Sequence, residues 1–152
     1  MIDLLAELRS VISSLDIAGI PYALCGGLAM AVHGFPRATV DIDILILGND
    51  LDRLEVAVRP LGFNVADHPR SFRGGAIKIR RLSKLHPSEH PLSLDVLLVT
   101  PAVQQVWDDR QSMEWDFGKI SVVSPAGLIA LKSLRGSGRD QDDIKRLQGE
   151  SE

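Results

Sequence analysis

The run Val40-Asp41-Ile42-Asp43-Ile44-Leu45-Ile46 carries the period-two alternation of a β-strand. β-branched residues fill its even positions, and Asp41 and Asp43 sit at odd ones. Alternation places both carboxylates on one face, with Cα atoms roughly 6–7 Å apart. Ile42, Ile44 and Ile46 then turn the other way, into a core. Two unpaired carboxylates on a mostly apolar strand are costly, and their repulsion drives one of them to hold a proton. A divalent cation removes the conflict and turns the pair into a site. An Asp-x-Asp tripeptide alone reads equally well as a sheet edge with two solvated aspartates, so the flanking residues decide.

With 152 residues the chain has the length of a single ordinary domain, expected to span 1–152, with enough chain to bury a real core. Its 45% hydrophobic and 24% charged content are near the globular average. A net charge of −3 argues against general nucleic-acid coating but leaves room for a local basic groove. The single cysteine, Cys25, excludes an intramolecular disulfide and fits a reducing, cytoplasmic setting. Met1-Ile2-Asp3 carries no basic run and leads into an amphipathic segment, so no signal peptide is expected. No apolar run reaches about 18 residues, so no membrane span is expected.

Outward from the central strand, helical spacing of Leu5, Leu8, Ile12 and Leu15 predicts a helix over 2–18, with Asp3 as its N-cap. Tyr22–Cys25 is a short strand, and a helix follows over Leu28–His33. Leu51–Leu61 is a second amphipathic helix. Phe63–Ala66, Ala76–Leu82 and Leu92–Val99 are strands, the last apolar enough to be buried. Pro101–Arg110 is helical, and Met113–Phe117 with Lys119–Val123 makes a hairpin around Gly118. Ser124-Pro125 caps a helix over Ala126–Arg135, and a polar helix over Asp140–Gln148 closes the chain. This order predicts an α+β fold, a central mixed sheet flanked by helices.

Gly26-Gly27 lies between a strand and a helix start. Glycine lets backbone approach a phosphate closely, and a helix start offers free N–H groups. Thirteen residues separate Gly27 from Asp41, enough for a short helix and a return into the next strand. If the two strands are neighbours, glycine loop and carboxylates meet at one end.

Leu24-Cys25-Gly26-Gly27-Leu28-Ala29, then His33-Gly34, then Arg37-Ala38-Thr39-Val40-Asp41-Ile42-Asp43 resembles the minimal nucleotidyltransferase fold, and most closely its AbiEii-type branch, which includes toxins of toxin–antitoxin pairs. The resemblance implies an Mg²⁺-dependent enzyme, with one or two ions, that transfers a nucleoside monophosphate from an NTP to a hydroxyl on RNA or tRNA, protein or a small molecule. It implies Asp41, Asp43 and a third carboxylate on a later strand as catalytic metal ligands. Asp95, inside Leu92-Ser93-Leu94-Asp95-Val96-Leu97, offers that carboxylate. An aspartate in an apolar strand needs a partner: a shared metal or, alternatively, backbone amides. Leu131-Lys132, Arg139-Asp140 and Asp143-Ile144 are similar to a helical segment of the family. They imply Lys132 at the phosphates or base, with Asp140 and Asp143 holding Lys132 or Arg139; a solvated charged helix is the plainer reading. Gly26, Gly27, Arg37 and Thr39 complete the expected nucleotide site, Arg37 either touching a phosphate or pairing with an aspartate. A cognate antitoxin is a further implied partner, and no membrane is. Many relatives carry an extra helical domain for the acceptor, which this sequence does not match. A catalytically degenerate nucleotide- or partner-binding module is the alternative.

Other residues weigh less. His33 reads as a helix-end residue, and His86 and His90 flank Pro87 in a loop without zinc spacing. Arg70, Arg73, Lys78, Arg80, Arg81 and Lys84 form a basic stretch, with Arg73-Gly74-Gly75 as a mobile loop. The stretch is either an acceptor groove or a solvated face. Trp107 and Trp115 read as core or interface.

Overall fold

The structure, a computed structural model, describes residues 3–36, 38–87, 89–115, 118–135 and 138–149, with the side chains of 138–140 outside the described set. In chain order the elements are α1 (Leu4–Ala18), β1 (Ala23–Cys25), α2 (Gly26–Val32), β2 (Ile42–Ile46), α3 (Leu51–Val58), β3 (Phe63–Ala66), β4 (Arg70–Phe72), β5 (Ile77–His86), β6 (Glu89–Leu98), α4 (Gln104–Asp108), β7 (Gln111–Trp115), β8 (Gly118–Val122), α5 (Pro125–Arg135) and α6 (Gly138–Leu147). The strands form one mixed sheet in the order β3-β5-β6-β2-β1-β8-β7, and β4 pairs with β5 beyond β3. β2 runs parallel to β6 and antiparallel to β1, while β1 runs parallel to β8.

Two helix starts follow the sequence directly. Asp3 Oδ1 accepts from the Ala6 N–H at 3.1 Å, and Ser124 Oγ accepts from the Gly127 N–H at 3.0 Å ahead of α5. His33 closes α2, its Nε2 2.8 Å from the Val123 carbonyl, as expected of a helix-end residue. α2 starts at Gly26 rather than Leu28, so both glycines belong to its first turn.

Ile42 and Ile44 share cross-strand rows with Leu94 and Val96 of β6, and these with Leu82 and Arg80 of β5. This face lies under α1 and α3: Lys84 reaches Glu7 of α1 at 2.9 Å, and Arg80 reaches Glu55 of α3 at 3.5 Å. Leu8, Leu15, Leu54 and Val58 fill the space between, all fully buried. α5 lies over the opposite face.

The differences from the sequence reading are local. β4 was not expected, since its three residues are all exposed and show no alternation of burial. β5 continues to His86 and β6 begins at Glu89, so His86 and His90 lie in strand ends rather than a loop. The helix expected over 51–61 changes to a 3-10 turn at Arg59, where Pro60 has no N–H for a helical bond. The one expected over 101–110 is a 3-10 turn followed by the short α4.

Ile44 has no exposed surface in the centre of the sheet. Ile44→Ala is expected to lower unfolding free energy by about 2–5 kcal/mol, measured by urea denaturation.

Candidate active site

Strand register sets the site. Arg81 of β5 lies opposite Asp95 of β6, Asp95 opposite Asp43 of β2, and Asp43 opposite Cys25 of β1. Four neighbouring strands therefore present one transverse row, Arg81–Asp95–Asp43–Cys25. Asp41 lies one residue before β2. Because β1 runs antiparallel to β2, its end at Cys25 delivers Gly26 and Gly27 to the carboxylates, as the spacing required.

The glycines serve a purpose the sequence did not suggest. A Cβ on Gly26 would collide with the Asp43 carboxylate, and one on Gly27 would lie 2.8 Å from Thr39 Cβ. Gly26 also has φ +69°, which favours glycine. The missing side chains thus make room for the protein's own Asp43 and Thr39. The Thr39 hydroxyl is 3.4 Å from the Asp41 carbonyl and donates to it.

A cavity of about 920 Å³ opens over this row. Asp41, Asp43, Asp95, Gly26, Gly27 and Thr39 line one side, and Lys132 and Arg135 come from α5. Arg70, Phe72 and Arg73 of the β4–β5 hairpin, with Ile77, Ile79 and Leu97, complete the wall. Sequence-predicted residues that converge here are Gly26, Gly27, Thr39, Asp41, Asp43, Asp95 and Lys132. Arg37 lies outside the described residues, as do the side chains of Arg139 and Asp140; the backbone of the last two is in α6.

Asp95 has a partner of a different kind from those expected. Arg81 Nε donates to Oδ1 at 2.7 Å and Nη2 to Oδ2 at 3.0 Å, a fork that engages both carboxylate oxygens. The fork is a partner that the sequence reading, which offered a shared metal or backbone amides, did not name. Lys132 and Asp143 form a second pair at 3.1 Å, each nearly buried. For these two residues the solvated-helix reading is therefore corrected: α5 and α6 close over the pair. The basic stretch divides by strand alternation. Arg81 faces the cavity, while Arg80 and Lys84 face α3 and α1 and form no groove. Arg73-Gly74-Gly75 forms a 3-10 turn, with Arg73 Nε donating to the Leu134 carbonyl of α5 at 2.7 Å.

Arg81 was named only as one cation of the basic stretch, and Arg135 and Phe72 were missed. Arg81 and Asp95 lie seven residues on either side of position 88, so an antiparallel hairpin centred there would have paired them. Nothing comparable marks Phe72 or Arg135.

Burial pushes the Asp43 carboxyl up to about 7, helped by the charges of Asp95 and Asp41 and opposed by Arg135 and Lys132. Burial and then Asp95 also raise Asp41, against Arg81. Burial raises the Cys25 thiol well above its ordinary value, with Asp43 adding to it. The hydrogen bond to Asp95 raises Arg81, so it stays charged. Among the described residues no three His, Cys, Asp or Glu form a ready-made metal cage. Asp41 and Asp43 nevertheless supply the hard oxygen donors that suit Mg²⁺, and a cation would relieve the repulsion that adds to burial in raising both.

Solved structures share this fold. Lincosamide antibiotic adenylyltransferase LnuA matches with TM-score 0.60 and 17% identity, over 94% of this chain and 95% of its own. The antibiotic-resistance factor ANT(2'')-Ia matches with TM-score 0.61 and 15% identity, over 96% and 82%. A candidate nucleotidyltransferase from Thermotoga maritima matches with TM-score 0.64 and 14% identity, over 97% and 93%. The class is thus the nucleotidyltransferase fold. The profile described as nucleotidyl transferase AbiEii toxin, Type IV TA system, matches residues 12–139, and the chain belongs to that family. No curated protein matches it.

Two outcomes follow. Between the ordinary aspartate value of 3.8 and about 7, folded Asp43 holds a proton that the unfolded chain has lost. The native state binds more protons there, so stability falls as pH rises through that window. Asp43→Asn should flatten the fall, measured by urea denaturation with EDTA present. Gly26→Ala should cost about 1–3 kcal/mol in the same assay, because Asp43 must move.

Proposed function

We propose that this protein is an Mg²⁺-dependent nucleotidyltransferase that moves a nucleoside monophosphate from an NTP to a hydroxyl acceptor. The observation that carries this is the row that gathers Asp43 and Asp95, with Asp41 and Gly26, on the wall of one large cavity. Membership of the AbiEii family supports the same chemistry.

Asp41 and Asp43 would hold Mg²⁺, with Asp95 as the third carboxylate. A bound Mg²⁺ supplies charge neutralisation at the triphosphate and makes an acceptor hydroxyl more acidic. The chain's own residues do the rest. The backbone of Gly26 and Gly27 holds phosphate oxygens beside Thr39. Lys132, kept in the wall by Asp143, adds positive charge with Arg135. Arg37, Arg139 and Asp140 belong to the same nucleotide site in this reading. The apolar surfaces of Ile77, Ile79 and Leu97 suit a nucleobase. Holding the donor and the acceptor hydroxyl together removes much of the entropic barrier to transfer.

The acceptor is RNA or tRNA, protein or a small molecule. The family description supports a toxin held in check by a cognate antitoxin protein. The fold neighbours include an antibiotic adenylyltransferase and a structure with adenylyl-2''-tobramycin, which keeps small hydroxylated acceptors in view. No helix among the described residues is long and apolar enough to cross a membrane, and use of NTP fits a cytoplasmic protein.

The test is transfer of label from each of four α-³²P-labelled NTPs, with Mg²⁺, into cellular RNA, protein and small-molecule fractions. Wild type should label one class, and Asp43→Asn should lose on the order of a hundredfold or more in rate. Equal labelling by Asp43→Asn would contradict the assignment. Nucleotide binding without any transfer would favour the degenerate binding module.

A further inference from the structure

Arg81 has no assigned part in nucleotidyl transfer, yet it makes a close two-pronged charged contact in the site. Its fork engages both oxygens of Asp95, at 2.7 and 3.0 Å. Asp95 in turn lies opposite Asp43 across the parallel β2–β6 pair. A cation shared by Asp43 and Asp95 needs an Asp95 oxygen turned toward it, and both now face the guanidinium. The two side chains differ in freedom. Asp95 is 12% exposed, while Arg81 is 33% exposed and lines the cavity. Both side chains line the cavity, and Arg81, the more exposed, has the more space to turn into.

A guanidinium prefers planar pairs of oxygens, and carboxylate and phosphate both provide them. We propose that Arg81 is an exchangeable counter-ion: it clamps Asp95 in the ligand-free protein and passes to the triphosphate when Asp95 turns to the metal. This rests on the metal-dependent reading above. It answers a problem of charge balance, since three carboxylates around a half-closed cavity need a cation before any ligand arrives. It also couples the ligands, because metal frees Arg81 for phosphate and phosphate frees Asp95 for metal. Such coupling is reciprocal.

The competing role is a static prop that only orients Asp95. Arg81→Lys separates the two, because it keeps the positive charge near the carboxylates and removes the fork. The probe is Mn²⁺ alone, titrated by electron paramagnetic resonance against folded protein. If the clamped state holds about nine-tenths of the wild-type molecules, loosening it tightens Mn²⁺ binding about tenfold. Arg81→Gln, which retains a hydrogen-bond donor for Asp95, should tighten it as well. Both variants should raise KM for the nucleotide more than they lower kcat. Mn²⁺ binding that Asp43→Asn abolishes, with Arg81→Lys equal to or weaker than wild type, overturns the exchange and leaves the metal site standing. No Mn²⁺ binding by wild type or by either Arg81 variant overturns both together.

Discussion

Asp43 faces Asp95 across a parallel strand pair, and the rest of the site depends on how that repulsion is contained. Two carboxylates in register on a buried sheet face are unstable by themselves. Arg81 balances Asp95 from the next strand, and the four-strand row exists because β5, β6, β2 and β1 each place one residue in it. Gly26 has no side chain where the Asp43 carboxylate lies. A one-residue slip in any of these strands would turn a member of the row to the opposite face, among Ile44, Val96 and Leu82. The apolar packing under α1 and α3 therefore also holds the charges in place.

A second buried pair closes the cavity from above. Lys132 and Asp143 link α5 to α6 at 3.1 Å, with both side chains nearly inaccessible. Breaking a buried pair leaves an uncompensated charge, so the two helices are held in one arrangement. From the other side, the Arg73 guanidinium reaches the last turn of α5 at Leu134, where helix carbonyls lack partners. Both contacts hold the last turn of α5 over the acidic row, which keeps the cavity wall, and not only its floor, in a defined position.

Much of this was legible in the sequence because the strongest signals are local. The Asp41-x-Asp43 strand, the Gly26-Gly27 break and the Ser124-Pro125 cap depend on neighbouring residues, and each was read in the right place. What escaped depended on contacts distant in sequence. Arg81 appeared as one cation of a basic stretch, and only the β5–β6 register sets it against Asp95 while sending Arg80 to Glu55. The three exposed residues of β4 give no alternation to read, although Phe72 then lines the cavity. That Asp143 holds Lys132 was expected from the family resemblance, but both have the composition of a solvated helix, and nothing in that composition shows that α5 and α6 bury the pair. The glycines have a further role that the sequence did not show: their open side receives Asp43 and Thr39.

Family membership gives nucleotidyl transfer as the chemistry, and the account's central claim is that the acidic row is where it takes place. The most direct measurement is anomalous scattering from a crystal grown with Mn²⁺ and an NTP analogue that cannot be cleaved between its α- and β-phosphorus atoms. The account predicts a peak within direct coordination distance of the Asp41 and Asp43 carboxylates, with the triphosphate in the cavity beside Gly26. A nucleotide bound elsewhere, or metal seated away from both aspartates, would contradict it.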